Sequence, residues 1–269
     1  MKRHIRFAAF LLAVLLFLPA AETLAQGTRL TVSGGGEEES GGEDSTQNTD
    51  SAEPAPADTE KTSTQVPVAA GEKLIALTFD DGPNSANTPK LLDMLKKYGV
   101  HATFFVLGCN VTGNEKLLRR MANEGHEIGN HSYDHSKFTA LSDDAIISQL
   151  ARTNKLIYNA CGVTVTLARP PYGARNTRVL KRFGALGLAC VLWSIDPEDW
   201  NTANAKAVRD HVVKRAKAGS IILMHDLRAS SVTAAESIIR TLTEQGYRFV
   251  TVSELFAGEL KAGAAYRHN

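Results

Sequence analysis

Three cysteines in 269 residues are too few for a disulfide-stapled scaffold and, being odd in number, cannot all pair within the chain. Cys109, Cys161 and Cys190 show no CxxC or Cys–His spacing, which excludes a thiolate metal site. Cys190 sits inside the apolar run Leu188 to Trp193 and reads as a small buried hydrophobe, while a pairing of Cys109 with Cys161 stays open. The chain also lacks an excess of one charge. Its 30 Lys and Arg against 29 Asp and Glu leave +1, and no basic run has the makings of a nucleic-acid arm, so no nucleic-acid partner is expected. No repeat of fixed period is present, which excludes a solenoid. No apolar run approaches the roughly 20 residues that a membrane-spanning helix needs.

The longest apolar stretch, Phe7 to Leu18, is about 12 residues, follows Lys2, Arg3 and Arg6, and leads to Thr23-Leu24-Ala25. Residues 1–25 therefore read as a secretory signal, with export and cleavage expected and no stable membrane span afterwards; a retained anchor is the alternative, since Thr23 is a less usual residue before the cut. No cysteine follows to carry a lipid. Residues 26–70 are Gly, Ser, Thr, Glu, Asp and Pro with almost no large apolar side chain, a composition that cannot offset ordering entropy and reads as a disordered linker. The folded unit is expected over residues 71–257, with 258–269 as a C-terminal tail. Residues 71–269 hold 25 basic and 19 acidic side chains, a net +6 that suits an anionic envelope polymer as well as an ordinary solvated surface.

From Lys73 onward short apolar runs alternate with amphipathic stretches that end in glycine. Strands are expected at Leu74 to Phe79, Ala102 to Leu107, Glu127 to Asn130, Val165 to Arg169, Ala189 to Ile195, Ser220 to Met224 and Arg248 to Val252. The helices between them are bounded by Gly99, Gly125, Gly162, Gly187, Gly219 and Gly246, with Thr88-Pro89 and Ser142-Asp143-Asp144 as helix starts. This alternation predicts an α/β chain in one domain, an irregular (β/α) barrel of about seven parallel strands.

The polar residues fall where such barrels build their sites. Asp80 and Asp81, His131, Arg169, Asp196 and His225 all lie at the carboxyl ends of expected strands. Adjacent carboxylates at a strand exit should diverge, so that one grips a metal while the other faces substrate. Singly, each piece has a plainer reading: Asp-Gly-Pro is common turn chemistry, and a His pair four apart is more often structural. Together, one Asp and two His leave an open coordination position on a catalytic divalent ion, and Asp80 and His225 remain as base and acid. His101, His126 and His211 read as loop or surface residues rather than ligands, and Asp134 as facing water.

In order, Thr78-Phe79-Asp80-Asp81-Gly82-Pro83, His131-Ser132-Tyr133-Asp134-His135, Arg169-Pro170-Pro171-Tyr172-Gly173, Asp196-Pro197-Glu198-Asp199-Trp200 and Leu223-Met224-His225-Asp226 resemble the five motifs of the polysaccharide deacetylase family, the NodB-like carbohydrate esterases of family 4. The resemblance covers about residues 73 to 256. It implies that Asp81, His131 and His135 bind one divalent metal, zinc in the first place, with cobalt, nickel or manganese also compatible. It implies Asp80 as base, oriented and kept ionised by Arg169, and His225 as general acid partnered by Asp199. The backbone N–H of Tyr172 would stabilise the oxyanion, and Trp200 and Leu223 would shape the acetyl pocket. The implied activity is metal-dependent removal of N-acetyl groups from an extracytoplasmic polysaccharide, peptidoglycan N-acetylglucosamine before N-acetylmuramic acid, chitin oligomers or acetyl xylan, by a monomeric exported enzyme. A wall-binding barrel without turnover is the rival from another class.

Overall fold

The computed structural model describes residues 71–267. The signal and linker expected over residues 1–70, and the last two residues of the expected tail, lie outside the described residues. All seven expected strands form: β1 (Lys73–Asp80), β2 (Thr103–Val106), β3 (Glu127–Asn130), β4 (Leu167–Ala168), β5 (Ala189–Val191), β6 (Ile221–His225) and β7 (Tyr247–Val250). Between or after them lie α1 (Thr88–Tyr98), α2 (Glu115–Asn123), α3 (Asp143–Cys161), α4 (Thr177–Ala185), α5 (Ala205–Arg215), α6 (Ala229–Glu244) and the short α7 (Val252–Leu255). Among the described residues no helix is long and apolar enough to cross a membrane.

Every strand pairing is parallel, and the sheet runs β6-β1-β2-β3-β4-β5, with β7 pairing the first half of β1. The sheet curls until the chain beyond β5 meets β6 at the Ile195–Ile222 bridge, with Leu223 N–H donating to the Ile195 carbonyl at 2.9 Å. This is the expected irregular (β/α) barrel, and its closure rests on that short contact. The segment expected as a tail belongs to the fold instead. Ala265–Tyr266 forms β8, parallel to β5, and Tyr266 packs edge-on against Phe256 with ring centroids 5.1 Å apart. Two residues between Ala264 and Arg267 carry too little apolar periodicity to read as a strand; only the open edge of β5 makes them one.

β1 is buried on both faces, as its unbroken apolar run requires. Ile75, Leu77 and Phe79 join the larger core under the helices, whereas Ala76 joins Phe105, Leu167, Ala189, Val191 and Ile221 in a smaller core inside the barrel. Period-2 alternation then carries Thr78 and Asp80 onto the inward face, so the barrel interior turns polar only near its carboxyl end. The six glycines expected to end helices all have left-handed φ, from 62° to 83°. Ser142 caps α3 as expected, its hydroxyl accepting from Ala145 N–H. Thr88 does not cap α1: the cap is Asn87, and the Thr88 hydroxyl instead accepts from Asn84 N–H at 2.7 Å and donates to buried Asp226.

The three cysteines form no disulfide with one another. Cys190 is buried, which pushes its thiol up to about 12 and leaves it inert at neutral pH. His126 departs from the expected loop exposure: it is buried against Phe104, its Nδ1 accepts from Ala102 N–H at 3.2 Å, and burial pushes its pKa down to about 4.

Candidate active site

The carboxyl rim of the barrel gathers every candidate residue from separate strands. Asp80 ends β1, and Asp81 leaves the strand with φ 71°. That kink overturns the expected divergence of the two carboxylates, because the chain is no longer extended there. Asp80 Oδ2 and Asp81 Oδ1 approach the same nitrogen, His131 Nε2, at 3.6 and 3.4 Å. His131 follows β3, and a tight loop rather than a helix brings His135 back beside it. Ser132 and His135 are left-handed at φ 73° and 64°. Asn130 Oδ1 accepts from Ser132 N–H at 2.8 Å and Ser132 Oγ accepts from His135 N–H at 2.9 Å. Asp81, Ser132, His135, Tyr172 and Glu198 are all non-glycine residues at positive φ near this rim, each costing on the order of 1–3 kcal/mol that the surrounding hydrogen bonds offset.

Asp81, His131 and His135 offer ligand atoms that lie within 4.8 Å of one another, the one such cluster of three or more among the described residues. His131 Nδ1 lies 2.8 Å from the Arg169 carbonyl, which can only accept. The proton therefore sits on Nδ1, and Nε2 presents its lone pair to the cluster. Burial pushes the His131 pKa down to about 3, so the ring is neutral. Asp81 Oδ1 is buried without a hydrogen-bond partner and lies 3.4 Å from Nε2 of both His131 and His135. A buried carboxylate oxygen facing an imidazole lone pair is the donor set of a divalent cation, and the residues fit one.

Two groups flank the cluster. Asp80, 3% exposed, accepts from Arg169 Nη1 at 2.7 Å. Arg169 is wholly buried: Nη1 also donates to Thr78 Oγ1 at 2.8 Å, Nε to the Val191 carbonyl at 3.3 Å and Nη2 to the Leu192 carbonyl at 3.1 Å. Burial raises the Asp80 carboxyl above the usual carboxylate range, and Arg169 acts against it. The expectation that Arg169 depresses this carboxyl thus holds for the direction of its influence but not for the net displacement. His225, at the end of β6, lies with Nε2 4.0 Å from Asp81 Oδ2 and Nδ1 2.8 Å from Asp199 Oδ1. Asp199 is 1% exposed and its Oδ2 accepts from His225 N–H at 3.0 Å. Burial works against the charged ring, but the Asp199 hydrogen bond and the charges of Asp80, Asp199 and Asp81 outweigh it and raise His225 to about 9.

A pocket of about 410 Å³ opens over these groups, walled by Tyr172, Trp200 and Leu223 among others. Leu223 is buried, Trp200 half exposed, and the exposed Tyr172 ring meets His135 edge-on at 4.6 Å. Every sequence-predicted residue is therefore at this one rim. Three further contributors receive no role from the sequence. Trp193 lines the pocket and lies over Arg169, with 5.6 Å from guanidinium carbon to ring centroid, yet in the sequence it only ends an apolar run. Asn110 Nδ2 donates to the Asp81 carbonyl at 2.8 Å from a turn 29 residues away. Asp226 follows His225 in the last motif and is wholly buried beneath Gly82.

Residues 68–191 match the family model for polysaccharide deacetylase. The chain is 43% identical over 202 residues to the peptidoglycan-N-acetylglucosamine deacetylase PgdA of Listeria monocytogenes, covering 75% of this chain and 43% of that protein. It is 42% identical over 193 residues to a peptidoglycan-N-acetylglucosamine deacetylase of Bacillus cereus, covering 70% of this chain and 90% of that one. It is 46% identical over 188 residues to the peptidoglycan-N-acetylmuramic acid deacetylase PdaC of Bacillus subtilis, covering 70% of this chain and 40% of that protein. The solved structure of PdaC superposes with a TM-score of 0.68 at 45% identity, covering 71% of this chain and 94% of that structure. The chain thus spans less than half the length of PgdA and PdaC but nearly all of the Bacillus cereus protein. With the barrel, the clustered ligand set and this likeness across the folded unit, the chain belongs to the polysaccharide deacetylase family.

Proposed function

We propose that this protein is an exported, metal-dependent N-deacetylase that hydrolyses the acetamide of an N-acetylated sugar in a cell-wall polysaccharide, N-acetylglucosamine of peptidoglycan in the first place, releasing acetate. The observation that carries the reading is the cluster of Asp81, His131 and His135 with Asp80 and His225 beside it in one pocket. The names of the Listeria monocytogenes and Bacillus cereus relatives support the sugar, and N-acetylmuramic acid, after PdaC, is the next candidate.

Asp81, His131 and His135 would hold the ion, zinc before cobalt, nickel or manganese. When bound, it supplies Lewis acidity that polarises the amide carbonyl and makes water a nucleophile near neutral pH. Asp80 accepts the proton of the attacking water, and Arg169 fixes which carboxylate oxygen stays turned to the cleft. As the carbonyl becomes tetrahedral, the backbone N–H of Tyr172 donates to the developing oxyanion. His225, held protonated by Asp199, gives its proton to the sugar nitrogen so that it leaves as an amine. Leu223 and Trp200 give the acetyl methyl an apolar wall.

The test is acetate release from a peptidoglycan glycan strand by the purified protein, before and after chelation and zinc addition, beside an Asp80→Asn variant. Chelation should abolish release and zinc restore it, and Asp80→Asn should lose about 10²–10⁴-fold. Equal, background-level release by both proteins would leave only a wall-binding barrel.

A further inference from the structure

Beside the catalytic pocket lies a second cavity of about 190 Å³ that shares two walls with it, Tyr172 and Trp193, and is otherwise lined by Gly173, Leu192, Arg175 and Arg267. Two distant parts of the chain supply the arginines. Arg175 follows the turn Pro171–Gly173, and its Nη1 donates to the Gly173 carbonyl at 3.3 Å. Arg267 follows β8, whose pairing with β5 delivers it to the site, and its Nε donates to the Trp193 carbonyl at 2.9 Å. Each side chain is thus tethered by one bond, while a guanidinium has five N–H donors in a planar fork. Among the described residues neither has a carboxylate within 4.0 Å, as holds also for Arg119, Arg152, Arg215, Arg228 and Arg240, but these two alone share the walls of one cavity beside the site.

We infer that Arg175 and Arg267 form an anion subsite for a carboxylate of the substrate polymer, carried next to the sugar whose acetamide occupies the catalytic pocket. The inference rests on the deacetylase reading above. Two forks facing one small cavity match a planar two-oxygen anion, and an acidic substituent there would supply the counter-charge that no described carboxylate gives within 4.0 Å. A polymer crossing the shared Tyr172 and Trp193 walls passes from one cavity into the other. The surplus of basic residues over 71–269 favours the same class of polymer at longer range.

The experiment compares steady-state acetate release by the full chain from three substrates: a peptide-free glycan strand with a carboxylate on alternate sugars, the same strand with those carboxylates reduced to alcohols, and a peptide-bearing strand. At low salt kcat/KM should favour the carboxylated strand over the reduced one by about five- to tenfold, carried mainly by KM, because two exposed charge contacts are at stake. High salt should erase that preference. An Arg175→Gln/Arg267→Gln double variant that retains wild-type metal content should bring the ratio to about one. On the peptide-bearing strand, where an amide to the peptide takes up the sugar carboxylate, loss of the preference would assign the carboxylate to the sugar, and a retained or larger preference would assign it to the peptide. A wild-type ratio near one at low salt, or a ratio the double variant leaves unchanged, overturns the subsite while the deacetylase reading stands. Acetate from none of the strands sinks that reading, and the subsite with it.

Discussion

Replacing Arg169 with Met tests the electrostatic arrangement at its deepest point. Met fills much of the same space but removes the partner of Asp80 and the donors to Thr78 Oγ1 and the Val191 and Leu192 carbonyls. Breaking a buried pair by deleting one member costs about 3–5 kcal/mol. The charge part of that cost has a ceiling, because Asp80 can escape by taking a proton. For a carboxyl with an unfolded pKa of about 3.9, at about 1.36 kcal/mol per pH unit, protonation costs about 4 kcal/mol at pH 7 and about 1.5 kcal/mol at pH 5. In the variant, Asp80 has its folded pKa raised above the unfolded value, so between pH 4 and that raised pKa the native state binds more protons than the unfolded chain, and stability falls as pH rises. Wild-type Asp80 is itself raised, though less because Arg169 opposes burial, so the destabilisation should shrink from pH 7 to pH 5 by at most about 2–3 kcal/mol. Urea unfolding of wild type and Arg169→Met with chelator present, at both pH values, measures it. A loss below about 1 kcal/mol, or one equal at the two pH values, would refute the view that Arg169 is there to hold Asp80 charged.

His131→Ala should abolish metal binding and activity together, whereas His225→Ala should keep the metal and lose about 10²–10⁴-fold in kcat; normal metal content in His131→Ala would defeat the ligand assignment. Since His225 donates only when protonated and is raised to about 9, kcat/KM should fall as pH climbs through about 9. Asp199→Asn should move that alkaline limb towards the ordinary value near 6.5, and an unmoved limb in a pH–rate profile would release His225 from the acid role. Gly82→Ala would drive a Cβ into the Asp226 carboxylate and should cost about 1–3 kcal/mol while displacing Asp81, read as weaker metal affinity in a titration. Wild-type affinity in that variant would mean that Asp226 does not support the ligand loop.

By itself the sequence determined the class of fold and the chemical inventory. Unbroken apolar runs such as Leu74 to Phe79, alternating with glycine-ended amphipathic stretches, admit little besides buried parallel strands under helices, and polar residues at the ends of such runs must emerge at one rim. Local codes of period 2 and 3.6 suffice for that much. Only the tertiary structure decided what depends on meetings between distant segments: that the kink at Asp81 turns two neighbouring carboxylates onto one imidazole, that Thr88 serves Asp226 rather than its own helix, and that burial outweighs Arg169 in setting the Asp80 carboxyl. The same holds for β8, Trp193 and Arg267. A two-residue strand has no period to read, and a side chain gains its role at the cleft only when the open edge of β5 brings the chain end back to it.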